Sequence, residues 1–71
     1  MGFSERLKEL RQLNDKTQIE IAQIIEIHRN AYHNYERGLQ EPSISVLIKL
    51  ANFFNVSTDY LLGLSDSMNR H

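Results

Sequence analysis

At 71 residues, 41% of them hydrophobic, with one proline and three glycines, the chain has room for one small domain and the composition of a compact helical one, which excludes larger folds. There is no cysteine, so neither a disulfide framework nor a thiolate metal site can form, and no apolar run approaches the roughly 20 residues of a membrane span. The net charge of −1 and pI near 6.3 argue against a strong non-specific grip on nucleic acid; with no secretory signal, and Arg6 where a myristoylation signal wants serine or threonine, a cytoplasmic location is the expectation.

The first predicted helix runs from Ser4 to about Leu13, with Phe3, Leu7, Leu10 and Leu13 as its inward stripe and Glu5, Arg6, Lys8, Glu9 and Arg11 on its outer face. Asn14-Asp15-Lys16 is a connector of turn-forming residues. Thr17, with Glu20 three residues on, has the spacing of a capping box, so a second helix starts at Gln18. Its apolar residues Ile21, Ala22 and Ile25 fall on one side, flanked by Ile19 and Ile24, which are read as half-exposed peripheral core in preference to a partner surface. Lys16 and Gln18 stand at the entry to this helix, where free N–H groups and the positive dipole end favour an anion.

Glu26-Ile27-His28 interrupts the pattern before a third helix from about Arg29 to Arg37. Gly38 follows as a left-handed cap, and Leu39 to Glu41 loops to Pro42. Ser43 caps a fourth helix with Ile44, Leu47, Leu50, Ala51 and Phe54 at helical spacing, widened by Ile48 and Phe53, and Asn55-Val56 breaks it. Ser57 caps a short fifth helix with Asp59 in its first turn, Leu61 and Leu62 turned to the core, and Gly63 ending it. From Ser65 to His71 the chain is polar and aperiodic, and is predicted to fray.

On a wheel, Arg29, Asn30, His33, Asn34 and Arg37 share an arc of roughly 140°, with Ala31, Tyr32 and Tyr35 opposite. The arc holds no carboxylate. Guanidinium, amide and imidazole groups are what hydrogen-bond base edges and phosphates in a major groove; the plain alternative is a solvated helix face. Catalysis is not expected, because so small a chain leaves little room for a concave pocket with a nucleophile or metal. His28, His33 and His71 are the only histidines, without the converging ligands zinc needs. No glycine-rich phosphate loop is present, and no cofactor is expected.

The segments Thr17-Gln18, Ile21-Ala22, Asn30-Ala31-Tyr32, Asn34-Tyr35-Glu36-Arg37-Gly38, Glu41-Pro42-Ser43 and Asn55-Val56-Ser57-Thr58-Asp59-Tyr60-Leu61-Leu62-Gly63 together resemble the Cro/C1-type (XRE) helix-turn-helix family of phage and bacterial repressors. The likeness runs from Phe3 to about Leu64, with the motifs in family order. It departs at Glu26, where the family often has glycine and a positive φ is costly for any other residue, and at His28, where a serine or threonine usually caps the recognition helix.

The resemblance implies an all-α, lambda-repressor-like bundle of about five helices. It implies a bacterial or phage-encoded transcriptional regulator, a repressor above all, that binds a specific double-stranded operator. Arg29, Asn30, His33 and Asn34 are the candidates for base edges: arginine matches guanine O6 and N7, and asparagine matches adenine N6 and N7. Lys16, His28, Arg37 and Gln40 are candidates to hold phosphates and fix register, and the resemblance adds Gln18 to them. In the family pattern the glutamate at position 36 pairs with an arginine late in the first helix, here Arg11.

A near-neutral domain reading a few base pairs should bind too weakly alone, so a symmetric homodimer on an inverted-repeat operator is expected. Phe53, Tyr60, Leu64 and Met68, at or beyond the edge of the core stripe near helix five and the tail, are the residues left to build its interface. The competing reading keeps the fold but makes the partner a protein, as for an antitoxin or adaptor docking through Ile19, Ile24 or Leu39; near-neutral charge favours it.

Overall fold

The computed structural model describes residues 1–68, so His71 and the end of the polar tail lie outside the described residues. Five helices follow in order: α1 (Phe3–Leu13), α2 (Gln18–Ile24), α3 (Arg29–Arg37), α4 (Ile44–Phe54) and α5 (Thr58–Leu61), with no strand among the described residues. Polar side chains set where they begin. The Thr17 N–H donates to Glu20 Oε1 at 2.9 Å while the Glu20 N–H donates to Thr17 Oγ1 at 3.1 Å, a complete capping box on α2. Ser43 Oγ accepts from the Val46 N–H, and Ser57 Oγ accepts from the Tyr60 N–H, starting α4 and α5.

The turns between helices use the left-handed region. Gly38 ends α3 at φ 73° with its N–H donating to the Tyr35 carbonyl, and Leu39 N–H reaches back to the Asn34 carbonyl at 3.0 Å. Glu26 closes α2 at φ 62°, so the chain adopts the turn although no glycine stands there. The Ile27 N–H then donates to the Ala22 carbonyl at 2.9 Å, and the Ile27 side chain packs against the core.

The core gathers Leu7 and Leu10 from α1, Ile21 and Ala22 from α2 with Ile25 at its cap, Tyr32 and Tyr35 from α3, Leu50, Ala51 and Phe54 from α4, and Val56, Tyr60 and Leu61 around α5. α1 packs on both α3 and α5, and α2 packs on α3, so the third helix is carried on two others.

Several expectations are corrected at the helix ends and on the flanks. Leu13 and Ile44, the last residue of α1 and the first of α4, are 64% and 78% exposed, and Leu62 also faces solvent, because a stripe that continues to a helix terminus outruns the neighbours that cover it. Ile48, expected to widen the buried stripe, is about half exposed, whereas the half exposure of Ile19 and Ile24 is as expected. Arg6, placed on the outer face by its charge, is only 5% exposed. Its guanidinium lies 4.0 Å from the centre of the Tyr60 ring, and Nη1 donates to the carbonyls of Tyr60 and Ser65. Those bonds tie down the beginning of the tail, where fraying was expected.

Candidate nucleic-acid interface

The outer face of α3 is made by what its inner face does. Tyr32 and Tyr35 are buried, their rings edge to face with centroids 6.4 Å apart, and their burial turns Arg29, Asn30, His33 and Arg37 to solvent. Asn34 stands at the margin, half-buried. Glu36, the one carboxylate of α3, is turned inward, its side chain 3% exposed. The exposed surface of this helix therefore carries no negative charge.

Arg11 meets Glu36 with two donors: Nε to Oε2 at 2.7 Å and Nη2 to Oε1 at 3.1 Å. Its Nη1 donates to the carbonyl of Lys16, joining α1, α3 and the connector before α2. Burial pushes the Glu36 carboxyl up, but hydrogen bonds from Arg11 and Gln18 and the nearby Tyr32 hydroxyl outweigh it and hold the group below its ordinary value. Arg11 is raised, chiefly by its hydrogen bond to Glu36. The Tyr32 hydroxyl is buried with no hydrogen-bond partner in full bonding geometry, and burial, then Glu36, raises its pKa strongly.

Gln18, half-buried in the first turn of α2, donates from Nε2 to Glu36 Oε1 at 3.1 Å, and its Oε1 lies 2.9 Å from His33 Nδ1. The residue expected at a phosphate is thus also the strut between the ion pair and the exposed face of α3, with one amide N–H left over. No sequence periodicity marks this link, since the two side chains are 15 positions apart.

His28 caps α3: Nδ1 accepts from the Asn30 N–H at 3.0 Å, doing the work of the serine or threonine whose place it takes. Accepting at Nδ1 leaves the proton of the neutral ring on Nε2. Lys16 is half-buried in the connector before α2, and Arg37 and Gln40 are exposed at the end of α3 and in the loop beyond it.

Of the four residues assigned to a dimer contact, Leu64 and Met68 are exposed and Phe53 is half-buried, packed on the core with its ring 4.9 Å from that of Phe54. Tyr60 is corrected: it lies in the core under the Arg6 guanidinium and has no surface to offer a partner. Among the described residues no group of histidine and carboxylate side chains could hold a metal ion, and no helix is long and apolar enough to cross a membrane.

Comparison with known proteins points the same way. The family model for the helix-turn-helix matches residues 7–61. The HTH-type transcriptional regulator ImmR of Bacillus subtilis (strain 168) is 49% identical over 63 residues, covering 89% of this chain and 50% of the relative. The cryptic phage CTXphi transcriptional repressor RstR of Vibrio cholerae is 35% identical over 65 residues, 92% of this chain and 59% of its own. The antitoxin PezA of Streptococcus pneumoniae serotype 4 (strain ATCC BAA-334 / TIGR4) is 34% identical over 67 residues, 94% of this chain and 42% of its own. A transcriptional regulator from Listeria innocua, known from its crystal structure, superposes with a TM-score of 0.83 at 28% identity over 97% of this chain and 64% of that one. The chain spans about half the length of the curated relatives it matches. With α2 and α3 joined by a tight turn inside the matched segment and the same fold in the solved relative, this chain belongs to the Cro/C1-type (XRE) helix-turn-helix family.

Proposed function

We propose that this chain is the DNA-binding unit of a transcriptional regulator, acting as a repressor, with α3 in the major groove of its operator. The observation that carries the reading is the exposed face of α3: guanidinium, amide and imidazole groups with the helix's only carboxylate drawn inward by Arg11. A merely solvated face has no need to be cleared of negative charge. Arg29, Asn30, His33 and Asn34 read base edges; Lys16, Gln18, His28, Arg37 and Gln40 hold phosphates and set the register. Two copies bind an inverted repeat with half-sites about 34 Å apart, meeting through Leu64, Met68 and the exposed part of Phe53.

The test is titration of a labelled random duplex at low and moderate salt, followed by selection of bound sequences from a random pool. Salt-sensitive binding and an enriched inverted repeat are expected. Absence of salt-sensitive binding to any duplex would sink the reading in favour of a protein partner docking on the half-exposed Ile19 and Ile24, the observation that favours that alternative. Sedimentation on a full-length site settles the stoichiometry: a one-to-one complex would refute the dimer.

A further inference from the structure

We propose that Gln18 fixes the neutral His33 ring as the Nδ1–H tautomer, so that His33 faces DNA as a hydrogen-bond acceptor and selects a base carrying an exocyclic amino group. The inference rests on the DNA-reading role of α3 and assigns that role its chemistry at one position.

The tautomer follows from a chain of acceptors and donors. Both oxygens of Glu36 are met by Arg11 N–H groups, and a carboxylate only accepts. The Gln18 atom 3.1 Å from Glu36 Oε1 must therefore be the amide nitrogen, which turns the amide oxygen towards His33. An amide oxygen also only accepts, so the His33 Nδ1 that lies 2.9 Å from it must carry the hydrogen. The neutral ring then has its lone pair on Nε2, across the ring from Gln18, on a side chain exposed to solvent. A free histidine can swing or exchange its proton to match either kind of partner. This one is held at Nδ1 by a strut that is itself anchored to the Arg11–Glu36 pair, so as long as the ring is neutral a mismatch with a base edge cannot be relieved without breaking that bond.

In the major groove the donors are adenine N6 and cytosine N4, whereas guanine and thymine present acceptors. An Nε2 lone pair set against guanine O6 or N7, or thymine O4, leaves two acceptors facing each other. His33 should thus accept adenine or cytosine on the strand it faces and reject guanine and thymine. It contrasts with Arg29, a donor only, on the same helix. His28 is the counterpart: its Nδ1 accepts from the backbone, so its Nε2 donates, as a phosphate contact needs.

Two measurements test this at about pH 8, where an imidazole is neutral. Long-range nitrogen–proton NMR on the free protein reads the tautomer directly: the His33 ring is expected with its proton on Nδ1, and Gln18→Ala should let it move to Nε2, the form a solvated imidazole prefers. A random duplex pool is then selected with the wild type, His33→Ala and Gln18→Ala. One position per half-site should favour adenine or cytosine about three- to tenfold, the worth of one neutral hydrogen bond, and lose that preference in His33→Ala. In Gln18→Ala, guanine should become tolerated there. An Nε2–H ring in the wild type, or guanine or thymine preferred at the His33-dependent position, would overturn the proposal. Binding to no duplex at all would overturn the DNA-reading role and the base preference with it, while the NMR result separates that failure from a wrong tautomer.

Discussion

Arg11 and Glu36, 25 positions apart, meet through two hydrogen bonds, with the carboxylate side chain 3% exposed and the guanidinium 16%. Such a pair is set by what its loss strands. Glu36→Ala would leave the Arg11 guanidinium without its two acceptors and Gln18 Nε2 without its own. The cost should be about 2–3 kcal/mol, above the roughly 0–1 kcal/mol of an exposed pair and below that of a wholly buried one. Denaturant unfolding of Glu36→Ala, Arg11→Ala and the double variant measures it; additive effects would show that the two do not depend on each other.

The same pair gives the domain an acid limit. Because the folded Glu36 carboxyl lies below its ordinary value of 4.5, its contribution is complete above that value and is lost as pH falls from there through the folded-state pKa: the unfolded chain takes up the proton first. The exposed Glu20, held low by its hydrogen bonds to the Thr17 backbone and hydroxyl, acts in the same direction. Unfolding monitored by circular dichroism should show stability level near neutrality and falling below about pH 4.5, with Glu36→Gln flattening the slope.

Glu26 holds φ at 62° in the turn between α2 and α3. Asp15 and Asn55 also have positive φ, but their short polar side chains can bond locally and tolerate that region, whereas a glutamate has no such help. Glu26→Gly should stabilise the domain by about 0.5–1 kcal/mol, the steric relief exceeding the added freedom of the unfolded chain. A lower melting temperature in that variant would show that Glu26 is not strained.

Much of this fold is legible because it is local. Thr17 with Glu20, Ser43, Ser57 and Gly38 announce helix limits within a few residues of where they act, and the Leu7, Leu10, Ile21 and Ala22 spacing marks the buried faces. The alternation of Tyr32 and Tyr35 with Arg29, Asn30 and His33 likewise exposes the candidate interface. What escapes is long-range. Arg6 reads as an outer-face cation, yet its partners are Tyr60 and Ser65, 54 and 59 positions away; an arginine's stem and planar head can be buried when carbonyls and a ring meet it, and no nearby residue signals that. Tyr60 reads as a surface residue for the same reason, its cover being an arginine 54 positions away.

Arg6 should consequently matter far more than its ion pair suggests. Asp66, 3.7 Å from Nη2, has a fully exposed side chain, so Asp66→Asn should change stability by less than about 0.5 kcal/mol. Arg6→Ala removes the packing on Tyr60 and two carbonyl partners from a site 5% exposed and should cost about 2–4 kcal/mol. Thermal unfolding of the two variants compares them; equal effects would mean that the ion pair, not the buried contacts, holds Arg6.

Arg29 and Arg37 stand at opposite ends of α3, both exposed, and should differ in kind when removed. In a helix-turn-helix the N-terminal residues of the recognition helix reach the base edges. On the proposed reading Arg29, the first residue of α3, is the guanine reader, and Arg29→Ala should cost about 1–3 kcal/mol on the selected operator while relaxing preference at one base pair. Arg37, in the last turn, complements the negative end of the helix dipole and on the proposed reading holds a phosphate. Arg37→Ala should weaken binding to every sequence alike and lower the salt slope by about one ion. Both side chains point away from the core, so neither variant should unfold the domain. Affinity measured across single-base variants of the operator at two salt concentrations separates the outcomes. A uniform loss for Arg29→Ala would make that residue a phosphate contact and remove it from the set that reads sequence.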